Sequence, residues 1–283
     1  MGSNSKIEWC DHTWNPWIGC SRVSPGCEHC YAERYARRFG LAQWGAGSPR
    51  RRTGQASWKL PLAWNADAAR RGVRYRVFVE SLGDFFDHEV PDALRLEVLQ
   101  LLVLQQHLDP IVLTKRIGNA ERFFKEHPAA AQLFAAQVWL GVTAVNQEEA
   151  DRDIPKLLRL PARIRFVSME PLLGPVRLGG PVTCGLDWVI VGGESGPRAR
   201  RIDPDWVRSL RDECAPAGTH FFFKQWGNRN PLTGQVGKTA AGRLLDGVIH
   251  DGVPGSRSSH FPSRWLREPD FGCREEPMAT LVG

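Results

Sequence analysis

No apolar run in this 283-residue chain approaches the roughly 20 residues that a membrane-spanning helix needs. The opening Met1-Gly2-Ser3-Asn4-Ser5-Lys6 lacks the apolar core of a secretory signal. These two absences lead us to expect a cytoplasmic protein with no membrane partner. Self-similarity at a period of about 20–50 residues is also missing, which excludes solenoids and propellers. Nor is there an acidic surplus. Lys and Arg number 37 against 31 Asp and Glu, leaving +6 at neutral pH, with an isoelectric point near 9.1. A basic balance leans toward an anionic partner such as nucleic acid, nucleotide or phosphorylated metabolite. The arginines cluster as Arg34, Arg37 and Arg38, then Arg50, Arg51 and Arg52, then Arg198, Arg200 and Arg201. Such groups read equally as solvated faces or as phosphate-tracking surfaces.

The composition, 42% hydrophobic and 24% charged, is ordinary for a globular chain. Its length is sufficient for one large α/β domain or two smaller ones. Seven cysteines in a cytosolic chain argue for thiols and metal ligation, not a disulfide framework. Cys10, Cys184, Cys214 and Cys273 are scattered, and a lone cysteine is most simply a small buried hydrophobe. Cys20, Cys27 and Cys30 are different. They fall within eleven residues, on a stretch (19–31) that Gly19, Pro25 and Gly26 make a loop. A loop at this spacing turns three sulfurs toward one point, and three converging thiolates call for a metal.

Downstream, apolar strands alternate with helices. The expected strands include residues 76–81, 110–115, 138–143, 164–170, 188–193 and 220–225. Helices are expected over 31–39, 92–107, 119–125, 147–160 and 205–215. Near-continuous apolar strands separated by helices indicate a parallel sheet covered by helices. With a short strand before Cys20 there are six or seven, which suits an α/β fold of the partial (β/α) barrel kind. Each strand ends in polar residues: Glu80 and Ser81, Thr114 to Arg116, Thr143, Ser168 and Glu170, Glu194 and Ser195, Lys224 and Gln225. Six such ends gathered at one mouth make a pocket. Residues 1–230 are expected to form the barrel and 231–283 an irregular C-terminal extension covering it, frayed after about Phe271.

Two metals fit the cysteines. Structural zinc would need Cys10 or His29 as a fourth ligand, and zinc knuckles usually bring ligands in two pairs. A [4Fe–4S] cluster on three cysteines leaves one iron open to a small molecule. The C-x2-C pair, the His29 before its last cysteine, and the position after a first strand resemble the radical S-adenosylmethionine (SAM) superfamily. The six-residue gap from Cys20 to Cys27 is longer than that superfamily's usual three. A closer resemblance is to a phage-associated family of three-Cys-motif proteins regarded as radical-SAM-like. It rests on blocks along nearly the whole chain: Ile7-Glu8-Trp9, Trp14-Asn15-Pro16, 19–34, Leu113-Thr114-Lys115-Arg116, Trp139-Leu140-Gly141-Val142, Ser168-Met169-Glu170-Pro171-Leu172, Gly192-Gly193-Glu194-Ser195-Gly196, Lys224-Gln225-Trp226-Gly227 and 242–247.

The resemblance implies a [4Fe–4S] cluster on Cys20, Cys27 and Cys30, with SAM as second cofactor. It also implies an external electron donor of the flavodoxin or ferredoxin kind, and hydrogen abstraction from a nucleotide, nucleoside or nucleic-acid base. Ser81, Gly83 and Asp84 would meet the SAM amino group, with Asp84 as acceptor. Lys115 or Arg116 would meet the SAM carboxylate, and Thr143, Asn146 and Glu170 the ribose hydroxyls. Gly192, Gly193 and Glu194 would permit close approach of the adenine or the substrate. Lys115, Glu170 and Lys224 are the catalytic candidates, although Lys115 and Glu170 could simply pair with each other. Lys224 with Trp226 reads as a lid contact or a base-stacking platform. No segment looks like a cobalamin domain. Two other readings fit the same residues. One is a zinc-stabilised nucleic-acid-binding protein without redox chemistry, the other a radical SAM enzyme on a non-nucleic small molecule.

Overall fold

The computed structural model describes residues 3–255. Seven parallel strands pair strictly in chain order: β1 (His12–Trp14), β2 (Tyr75–Val79), β3 (Leu108–Thr114), β4 (Trp139–Thr143), β5 (Ile164–Met169), β6 (Trp188–Gly192) and β7 (His220–Gln225). Helices cross between them: α1 (Tyr31–Arg38) and α2 (Leu60–Arg71) after β1, then α3 (Asp92–Val103) after β2. α4 (Ile117–Glu126) and α5 (Pro128–Ala136) follow β3, α6 (Gln147–Arg159) follows β4, α7 (Gly180–Gly185) follows β5, and α8 (Pro204–Ala217) follows β6. Sequential parallel pairing with a helix at every crossover curls the sheet into a partial β/α barrel. No helix among the described residues is long and apolar enough to cross a membrane.

Strand side chains alternate between two faces, and the two faces bury different things. Val77, Val79, Val112, Leu140, Val142, Val167, Val189, Val191 and Phe223 face outward, in the core shared with the helices. Phe78, Ile111, Trp139, Phe166, Trp188, Ile190 and Phe222 face inward, where Trp9 and Cys10 join them as a plug. Gly141 makes that plug possible. A Cβ there would run into the ring of Phe166, so only glycine lets this ring fill the interior. Continuing the inward alternation by two or four residues leads past the plug to Glu80, Lys115, Thr143, Glu170, Glu194 and Lys224. The barrel is therefore filled with aromatics at its base and polar at its C-terminal mouth.

Several local expectations shift. α2, capped by Gly72 at φ +64°, lies in a stretch for which no element was expected, because its hydrophobic periodicity is weak. α5 is also additional: Pro128 starts a second helix directly after α4. The composition of segment 45–53, rich in Gly, Ser, Pro and Arg, reads as an exposed loop. Arg50, however, is buried (1% side-chain exposure) in an ion pair with Asp87 at 2.9 Å. Residues 51–52 pair antiparallel with Trp17–Ile18. Asp87, entirely buried, is thus occupied by Arg50, while His88 points to solvent. Of the extension, residues 231–255 are described. They return along the free edge of β7, bridging Asp251 to Phe222, and the Gly252 carbonyl accepts from Trp188 Nε1 at 2.7 Å. The expected fraying after Phe271 lies outside the described residues.

If Phe166 fills the interior as described, Gly141→Ala should cost about 1–3 kcal/mol through overpacking, seen as a lower urea midpoint at unchanged m-value. An unchanged midpoint would contradict the plug.

Candidate metal and cofactor site

The cysteine loop leaves β1 at the mouth and is pinned there immediately. Asn15 Oδ1 accepts from Leu82 N at 2.7 Å, and its Nδ2 donates to Ser81 Oγ at 3.1 Å. The loop then makes one tight turn, where Ser24 Oγ accepts from Gly26 N at 3.0 Å. A Cβ on Gly26 would press on Val145 at 2.7 Å, so the loop lies directly against the end of β4. Cys30 is the N-cap residue of α1, which sets the positive end of the helix dipole beside the thiols.

Arg116 joins the loop to the barrel. Its Nη1 lies 3.5 Å from Cys20 Sγ and 3.1 Å from Asp84 Oδ2, and its Nη2 donates to the Ser21 carbonyl (2.9 Å) and hydroxyl (2.8 Å). Asp84 additionally accepts from Thr114 Oγ1, Lys115 N and Phe86 N, at 2.7, 3.0 and 3.0 Å. Its two oxygens are fully used, so the structure gives Asp84 a holding role where the sequence assigned it to the SAM amino group. Arg116 is likewise committed and not a spare cation. Burial, reinforced by Asp84, pushes the Cys20 thiol up to about 12. A thiolate there therefore needs more positive charge than Arg116 supplies, which a bound metal would provide.

A second clasp crosses from the loop to the end of β6. Glu194, 6% exposed, receives Arg200 through Oε1 at 2.5 Å and His29 Nδ1 at 3.0 Å. Arg200 also reaches Glu28 Oε2 at 2.9 Å and the Pro25 carbonyl at 3.1 Å. Burial would raise the Glu194 carboxyl, but the Arg200 and His29 bonds outweigh it and hold it at about 2. Glu194 is thus a strut. Gly193 has the same character: a Cβ there would collide with the Trp226 carbonyl, and one on Gly192 would crowd Glu170 and Lys224. The close approach at this Gly-Gly pair is made by the protein's own backbone, and at Gly83 by the Glu80 carboxyl.

Inside the mouth, Glu170 pairs with Lys224 at 2.5 Å, not with Lys115. Trp9 Nε1 (3.3 Å) and Ser168 Oγ (3.1 Å) complete its Oε1. Burial opposes charge on Lys224, yet Glu170 wins and raises its pKa. Lys115 is half-buried beside Gly26; its ammonium has no ion pair or hydrogen bond among the described residues. Thr143 is buried at the end of β4, and Asn146 Oδ1 caps α6 by accepting from Glu149 N at 2.9 Å. Ser81 supplies its carbonyl to the Tyr31 hydroxyl at 2.8 Å. Trp226 is buried with its Nε1 on the Leu244 carbonyl, which makes it packing and no stacking platform.

The three thiols are the donors that both metals would share. Cys20, Cys27 and Cys30 are all part-exposed, while Cys10 and Cys214 are buried. Among the described residues the one set of three His, Cys, Asp or Glu ligand atoms within 4.8 Å of one another is Asp92, Glu126 and His127. The three thiols are therefore spread wider than the roughly 3.8 Å that a single tetrahedral zinc with ~2.3 Å bonds would impose. Of the two expected fourth ligands, His29 meets Glu194 through Nδ1, which leaves its Nε2 for a metal, while Cys10 is buried and bonds Ser5 Oγ at 3.5 Å. A cluster, whose thiolates sit on separate irons, is compatible with this spread. Within the Asp92 group, Asp92 is paired with Arg95 and with His127 itself.

Residues 4–254 match a family described as Protein of unknown function (DUF5131). The chain belongs to that family. No curated protein and no solved structure matches it.

Tyr31 and Trp9 were not singled out individually from the sequence, and Glu80 was seen only as a polar strand end. Tyr31 is 48% exposed although its hydroxyl is bonded at the end of β2, so its ring lines open space in the mouth. Glu80, 1% exposed and at φ +67°, accepts from Trp17 N at 3.1 Å, and burial pushes its carboxyl well above the usual range. Trp9 could have been found, because it lies in a block already noted; its bond to Glu170 spans 161 residues and leaves no local signal.

The Glu194 clasp has a pH signature. With a depressed folded pKa, its contribution is complete above the ordinary carboxyl range and disappears as pH falls through about 2. Glu194→Gln should cost about 1–3 kcal/mol at pH 7, with the difference from the parent shrinking steadily below pH ~4.5. A pH-independent difference in denaturant midpoint would refute the clasp.

Proposed function

We propose that this protein is a radical SAM enzyme acting on a nucleotide, nucleoside or nucleic-acid base. One observation carries the reading: three part-exposed thiols on a single loop stand at the C-terminal mouth of a parallel half-barrel, above an inward layer of polar side chains. When bound there, a [4Fe–4S] cluster would hold the amino and carboxylate groups of SAM at its open iron and supply the electron that cleaves the C–S bond, so that the 5′-deoxyadenosyl group takes a hydrogen atom from the substrate.

The protein's own groups have definite work in this scheme. Lys115 offers the SAM carboxylate an ammonium with no competing partner. The Arg116 N–H directed at Cys20 Sγ withdraws charge from a ligand sulfur, a lever on reduction potential. Glu170 and Lys224 present a charge-balanced ion pair in the mouth, available to substrate hydroxyls or amines. The aromatic plug beneath keeps water from entering through the base. An external flavodoxin- or ferredoxin-like donor delivers the electron. The +6 charge favours a substrate carrying phosphate.

Anaerobic reconstitution with iron and sulfide tests this directly. The expected result is about four irons and four sulfides per chain, lost in Cys27→Ala. Lys115→Met should keep the cluster and weaken SAM binding about tenfold, the loss of one charge-assisted contact. Stoichiometric zinc with no bound iron would sink the proposal.

A further inference from the structure

The outer side of the cysteine loop carries a surface that this chemistry does not use. Two adjoining depressions, of about 300 and 360 Å³, share Arg22, Glu33 and Arg37 as their common wall. The first extends to Cys30, Arg34 and Arg198, the second to Trp44. Arg22 and Arg37 both lean on the single carboxylate of Glu33, at 2.9 and 2.8 Å, and remain 56% and 68% exposed. Arg34 and Arg198 are exposed and have no carboxylate partner among the described residues; Arg34 bonds only the Ser195 carbonyl, at 3.4 Å. Its guanidinium is nonetheless placed. Gly196 adopts φ +120° and brings its Cα so close that an added Cβ would fall 2.5 Å from Arg34 Nη1. The loop after β6 is thus shaped to let this guanidinium lie across it.

Four arginines around two adjoining depressions, only two of them leaning on a carboxylate, with an indole on the wall of the second, match the two chemistries of a single strand of nucleic acid. Phosphates take the guanidinium groups, and a base stacks on the aromatic face. A free metabolite would need fewer cations than the two depressions offer, and duplex bases are not open to stacking. We infer that this surface binds single-stranded nucleic acid, tracking its backbone from Trp44 past Arg22 and Arg37 to Arg34 and Arg198. Cys30 belongs both to this wall and to the thiol loop, so a nucleotide at the Arg34 end stands at the rim of the mouth. The inference rests on the proposed radical chemistry for the fate of the strand, and not for its binding.

The test uses the full chain and fluorescence anisotropy with labelled oligothymidylate, oligouridylate and a duplex of the same length. Binding of a single strand should weaken as salt rises, and the Arg34→Ala/Arg198→Ala double variant should lose about tenfold in affinity. Its log–log salt slope should fall by about 1.4, two phosphate contacts at ~0.7 each. Trp44→Ala should lose about tenfold with the slope unchanged, as for a stacking contact. Arg159→Ala, on the far end of α6, serves as the control and should change nothing. Equal binding of the duplex with no effect of Trp44→Ala would overturn the single-strand assignment. Absence of binding at low salt, or binding indifferent to the double variant, would overturn the surface altogether. A chain that binds the strand yet assembles no iron–sulfur cluster keeps this inference and removes the radical reading. SAM cleavage by a chain that ignores both oligonucleotides does the reverse.

Discussion

A buried guanidinium must be matched by negative charge and hydrogen-bond acceptors, because an unpaired ion in the interior costs several kcal/mol. Arg116 meets that demand by drawing together the end of β2 through Asp84, the first turn of the cysteine loop through Ser21, and Cys20 itself. The thiol loop is irregular backbone and has no ladder to hold it. Its position over the barrel mouth is set by what it gives Arg116 and, at the other end, by the Glu194–Arg200–His29 clasp. With both ends fixed, three sulfurs are presented on a curved segment against the end of β4.

The same strands do two jobs because their side chains alternate. Outward valines and leucines bind the helices, and inward aromatics stop the base of the barrel. Beyond that plug the inward positions turn polar, so the mouth is where charge gathers and where water is easiest to exclude by a bound ligand. Not all of that polarity is available for chemistry. Asp84, Arg116, Glu194 and Arg200 satisfy one another, leaving Lys115, Tyr31 and the Glu170–Lys224 pair facing the open space.

The barrel itself was legible, since long apolar strands at regular intervals with helices between them admit few topologies. The cysteine loop was legible too, from spacing and from Gly and Pro. Pairing across distance was not. Arg50 sits in a stretch whose composition reads as exposed, yet Asp87, 37 positions away, buries it. Lys115 and Glu170 looked like partners, but Lys224 is the residue that the curl of the sheet brings to Glu170. Gly192 and Gly193 looked like a ligand-binding pair, whereas Trp226 and Glu170 require their lack of side chains. In each case the deciding contact is tertiary, and one residue's letters carry no trace of it.

We propose that Cys20, Cys27 and Cys30 hold a cluster with one iron left for SAM. Electron paramagnetic resonance of the reduced, reconstituted protein, recorded with and without SAM, tests it most directly. The expected result is an iron–sulfur signal whose line shape changes when SAM is added, because SAM becomes a ligand. A signal indifferent to saturating SAM, or none at all in a protein filled with zinc, would contradict it.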